Sequence, residues 1–75
     1  MDREKIIRVI NGLQKKHGRD FSLNLKYRTA SGKVRKRHGR FVELRDGEEL
    51  RLFNPDKETT GTYALDRIEE IGKRQ

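Results

Sequence analysis

No cysteine occurs among the 75 residues, which excludes a disulfide framework and thiolate metal ligation. No apolar run approaches the roughly 18 residues of a membrane-spanning helix, and the N-terminus lacks the apolar stretch of a secretion signal. The expectation is a cytoplasmic protein that makes no membrane contact. Two histidines, His17 and His38, are too few for a zinc site. No glycine-rich segment opens a helix, so no nucleotide-binding loop is expected. The carboxylates form no catalytic pair either. Asp56 and Glu58 fall in a loop, Glu69 and Glu70 are adjacent, and neither pair has a histidine or an apolar pocket to tune it. The sequence thus predicts no catalytic residue, no metal and no cofactor, and a protein that is not an enzyme.

Apolar residues are scarce, at 31%, against 41% charged. A chain this short removes only about 60% of its unfolded surface on folding, which allows one domain with a small core. The charge is divided unevenly. Residues 1–40 hold 13 Lys and Arg against 3 Asp and Glu, whereas residues 41–75 hold 6 against 9. A basic half beside an acidic one steers toward polyanions, and also favours head-to-tail self-association.

The apolar residues that are present follow two periods. Ile6, Ile10 and Leu13 recur at spacings of four and three, with Ile7 and Val9 widening the stripe, and this predicts a helix over 3–17. Asp2 is placed to cap it, and Gly18 to end it. Phe21, Leu23, Leu25 and Tyr27 then alternate with polar residues, which predicts a strand with one wet face. Thr29–Lys33 reads as a turn and Val34–Arg40 as an antiparallel return, with Gly39 marking a bulge or a bend. Phe41, Val42 and Leu44 carry apolar character on to a turn at Asp46–Gly47, beyond which Leu50, Leu52 and Phe53 continue it. Asn54–Gly61, with Pro55, reads as an exposed connection; Thr62–Leu65 and Ile68–Ile71 read as two short strands. The expected fold is α+β, mainly β, in a single domain over 1–75. The helix precedes about five short antiparallel strands that close into a small SH3/Sm-like barrel over 21–71, followed by a charged tail over 72–75. Closure is expected because it would settle both core and edges at this size.

The ending "TGTYALDRIEEIG" resembles the terminal strands of WYL domains, small Sm/SH3-like barrels of bacterial transcription regulators. Tyr63 corresponds to the family's aromatic residue, and Leu65, Asp66, Arg67 and Ile68 to its closing tetrad. "LKYRTASGKVRKR" resembles its first hairpin, and "LRDGEELRLFNPD" occupies the place of its signature strand, although the signature tryptophan, tyrosine and leucine are absent. The resemblance implies a barrel fold and a pocket role for Arg67.

The densest chemistry lies at "KVRKRHGR", residues 33–40. Lys33, Arg35, Lys36, Arg37 and Arg40 crowd this stretch with His38, while Lys26 and Arg28 lie on the preceding strand. Like charges on neighbouring strands repel unless an anion neutralises them, and phosphates suit arginine in bidentate geometry. The plain alternative is a strand edge kept charged to prevent sheet-to-sheet association. Tyr27 and Phe41 are assigned to the core, and Phe53, out of phase with Leu52, is open to either face. The expected function is nucleic-acid binding, DNA or RNA, or a transcription-accessory role. The competing class is a protein-interaction module, for example one encoded by a phage or mobile element, docking on a partner in the transcription or replication machinery.

Overall fold

A computed structural model describes residues 2–74. Met1 and Gln75, the ends of the expected domain and tail, lie outside the described residues. The helix α1 (Arg3–His17) precedes five strands: β1 (Ser22–Arg28), β2 (Val34–Arg45), β3 (Glu49–Asn54), β4 (Thr59–Ala64) and β5 (Ile68–Lys73). A 3-10 turn, Leu65–Arg67, separates the last two. The α+β, mainly β class is the one the periodicity predicts.

Local chemistry sets the boundaries. Asp2 accepts a hydrogen bond from the Glu4 N–H at 3.2 Å, and Gly18, at φ +64°, donates its N–H to the Gln14 carbonyl. These are an N-cap and a left-handed stop. Asp46 and Gly47 both take positive φ, as a tight hairpin turn between twisted strands requires. The β3–β4 connection is shorter than the sequence suggests, because Asn54 and Thr59–Gly61 belong to strands. Only residues 55–58 remain as turn, held by the Asn54 Oδ1, which accepts from the Asp56 and Lys57 N–H groups. Gly61 therefore makes no turn; it clears space for the Tyr63 ring, whose hydroxyl lies 2.7 Å from where a Cβ would stand.

The sheet order is β4-β3-β2-β1-β5, antiparallel throughout. β4 and β5 are opposite edges and do not pair, so the sheet is open and the expected barrel closure does not occur. The 3-10 turn supplies the physical reason. Leu65 enters the core while its N–H bonds to the Glu48 carbonyl, and the chain then crosses to the far edge, beside β1. The helix does what closure was expected to do. Ile6 and Ile10, both fully buried, cover the apolar face together with Phe21, Leu23, Leu25, Phe41, Leu50, Leu52, Leu65 and Ile68. One apolar face and one wet face suffice for an antiparallel sheet. Ile7 and Leu13 pack partly against this core, while Val9 does not join it.

Aromatic contacts tie the strands together. Phe21 stacks on Phe41 at 4.8 Å between centroids, and Tyr27 meets Tyr63 edge-on at 5.1 Å. The second contact links β1 to β4 across the apolar face, between strands that share no ladder. Register settles Phe53, which pairs with Arg40 and Thr60 on the wet face, opposite to Leu52.

Candidate functional site

Directly opposed residues of an antiparallel pair share a face, so register sorts the basic hairpin. Lys36 stands opposite Lys26, and His38 opposite Asn24, on the wet face. Arg35 stands opposite Tyr27, and Arg37 opposite Leu25, on the apolar face, beyond where the core ends. The cations therefore occupy both sides of the hairpin. Gly39 marks the change. It is buried opposite Leu23, and an added Cβ would lie 2.8 Å from the Leu52 Cβ and from the Phe53 carbonyl oxygen. β3 approaches β2 that closely only because nothing stands there, and its pairing with β2 runs from Arg40 to Arg45. Residues 34–39 pair with β1 alone and carry a free edge.

The acidic half of the sequence meets the basic half inside the molecule, and does so selectively. Lys26 Nζ lies 3.2 Å from Glu70, and Arg28 pairs with Glu69, both carboxylates coming from β5. His38 Nε2 is 3.2 Å from Asp56 in the β3–β4 turn, and Arg40 Nη2 is 3.2 Å from Asp20. Lys33, Arg35, Lys36 and Arg37 have no carboxylate partner among the described residues. The Arg37 guanidinium donates to the Lys36 carbonyl at 2.9 Å, which occupies part of the free edge and opposes strand addition there. Of the eight expected hairpin residues, four have a carboxylate partner and four have none among the described residues.

An open groove of about 550 Å³ lies over β5, β1 and β2. Its wet-face lining includes Asn24, Lys26, Lys36, His38, Glu70 and Gly72. Arg74 closes one end, its N–H on the Ser22 carbonyl and its Nη1 donating to Asn24 Oδ1 at 3.1 Å. Sequence reasoning missed Asn24, Gly72, Lys73 and Arg74. It assigned residues 72–75 to a charged tail, whereas β5 continues through Lys73. Only the register with β1 reveals that Gly72 lies opposite Asn24.

Arg67 stands apart. It is exposed on the 3-10 turn and does not line the groove. The structural work at that turn falls to Asp66, which takes hydrogen bonds from Arg3 Nη2 at 2.8 and 2.9 Å and ties α1 to the sheet. The hydrogen bond and charge of Asp66 raise the Arg3 pKa above its ordinary value; desolvation opposes this and Glu48 adds to it.

Among the described residues, no helix is long and apolar enough to cross a membrane, and no group of three His, Cys, Asp or Glu side chains is placed to hold a metal ion. No family model matches the chain, and neither a curated protein nor a solved structure matches it. The expected kinship with WYL domains, and with SH3- or Sm-like barrels, is overturned on both counts: the sheet is not closed, and the tetrad that suggested the kinship caps a helix-covered open sheet. Four-residue strings of this kind are too short to carry a fold.

Proposed function

We propose that this protein binds nucleic acid by phosphate contacts from the β1–β2 hairpin, as a cytoplasmic accessory to transcription or replication. One observation carries the reading. Lys33, Arg35, Lys36 and Arg37 are exposed and without carboxylate partners among the described residues, while their neighbours Lys26, Arg28, His38 and Arg40 are each paired. A fold that disposes nine carboxylates across its second half, yet leaves this cluster unneutralised, keeps a standing electrostatic repulsion that a polyanion relieves. The contacts are to backbone phosphates, which position without reading sequence, and binding of this kind weakens steeply with salt through counterion release.

The test is a fluorescence-anisotropy titration against single-stranded DNA, duplex DNA and structured RNA at two salt concentrations. It is repeated on the variant Arg35→Gln, Lys36→Gln, Arg37→Gln. Micromolar or tighter binding that falls with salt and is lost in the folded variant supports the reading. Absence of binding at low salt sinks it, leaving the hairpin as a protected edge and directing attention to a protein partner.

A further inference from the structure

We infer that the groove over β5, β1 and β2 is the path of a single polynucleotide strand, so that the protein prefers single-stranded to duplex nucleic acid. The inference rests on the proposed phosphate binding and specifies its substrate class. Three features of the groove carry it. The first is charge: Lys26, Lys36 and Arg74 line its wet face against one carboxylate, Glu70, which is already engaged by Lys26.

The second feature is shape. Three adjacent strands span roughly 10 Å from the first to the third, at about 4.8 Å per spacing. The volume of about 550 Å³ falls within the roughly 300–1,000 Å³ typical of sites that enclose small ligands. Such a trough accepts a short run of one sugar–phosphate chain. A duplex, with its phosphates on a convex cylinder, would reach only the rim at Lys36.

The third feature is Gly72. It faces the groove opposite Asn24, and a Cβ there would meet nothing within 4 Å. Its φ lies outside the left-handed region, so the backbone does not demand glycine. Glycine within a strand weakens it and often marks close approach of a ligand or another backbone. Here no part of the protein fills the space. The Asn24 side chain is fixed by Arg74, whose guanidinium occupies its carbonyl oxygen, and this leaves the amide N–H₂ to donate to a phosphate or a base.

Because Gly72 is uncharged and has room, it separates this inference from the function beneath it. Gly72→Val would fill the trough with no change in charge. β-branched residues suit strands, so the variant should melt at or above the wild-type temperature. Binding would be compared for a dodecamer of dT, a dodecamer of rU and a blunt 12-base-pair duplex, the first two distinguishing DNA from RNA. The expectation is that Gly72→Val weakens the single strands by roughly tenfold or more, as loss of a backbone-tracking groove implies, while residual duplex binding is unchanged. Amide chemical shifts of Asn24, His38 and Gly72 in the wild-type protein should move on titration with the dT dodecamer, a readout independent of any variant's folding. Single-strand affinity within twofold of wild type in Gly72→Val overturns the groove assignment and leaves the hairpin's phosphate binding standing. Equal affinity for duplex and single strand, or shifts confined to Lys33 and Arg35, overturns it likewise. Failure of the wild-type protein to bind any of the three removes both readings.

Discussion

The two halves of β2 share one strand and little else. From Arg40 to Arg45 it pairs with β3, places Phe41 in the core and folds back through a tight turn. From Val34 to Gly39 it has β1 alone, and every residue before His38 is exposed. The boundary is Gly39, where β3 comes too close to tolerate a side chain. The stretch paired with β3 spends one face on the core. The stretch paired with β1 alone has a free edge, and the charged side chains along it oppose strand addition there. The buried contacts and the unpaired cations thus fall on consecutive stretches of the same element.

That division is best attacked at its boundary, where the largest effect is expected. Gly39→Val drives a side chain into the Leu52 Cβ and the Phe53 carbonyl. Overpacking against backbone should cost upward of ~3 kcal/mol, a large part of the roughly 4–11 kcal/mol available to a domain of this length. Urea unfolding followed by circular dichroism measures it, and a loss under ~1 kcal/mol would deny Gly39 its role.

A smaller contrast compares positions on either side of the divide. Leu52→Ala, at a fully buried position, should lose ~2–4 kcal/mol. Val34→Ala, half exposed at the free end of β2, should stay within ~0.5 kcal/mol. Comparable losses in the same denaturation series would show that the basic half also holds the fold together.

The hairpin variant Arg35→Gln, Lys36→Gln, Arg37→Gln should separate binding from stability. Relief of like-charge repulsion should leave the domain unchanged or up to ~1 kcal/mol more stable. The slope of log affinity against log salt should shrink for a single strand by ~0.7 per lost phosphate contact. An unchanged slope would mean that these side chains touch no phosphate.

The smallest effect is expected at Asp56, the carboxylate that holds His38 at 3.2 Å beside the groove. Asp56→Asn removes an anion from the polynucleotide's path and should tighten binding roughly two- to fivefold, the equivalent of the ~0.2–1 kcal/mol of an exposed ion pair. Weaker binding in the same anisotropy assay would instead make Asp56 a support for His38.

Much of this molecule is legible along the chain because local rules decide it. The 3.6-residue stripe and the caps at Asp2 and Gly18 define α1, and the alternation from Phe21 to Tyr27 defines β1 and its buried face. Asp46–Gly47 and Gly32 announce their turns through the positive φ they adopt. The basic cluster is visible as composition. Its division into paired and unpaired members is not, because the neutralising carboxylates lie 18 to 44 residues away in sequence, on β5, in the β3–β4 turn and, for Arg40, at Asp20 before β1. Gly72 misled for a related reason. Glycine ends a segment as often as it opens a space, and only the strand beside it distinguishes the two.

The sequence by itself determined α1, β1, their buried faces and the presence of a concentrated cation supply, since each depends on neighbours within a few residues. Tertiary structure alone decided that the sheet stays open, because closure was a competition between β4–β5 pairing and a helix covering the apolar face. Leu65, by turning into the core, directs the chain to the arrangement that the helix completes. Tertiary structure also decided which cations remain free, because ion pairing is a matter of distance in space, and strand register sets those distances.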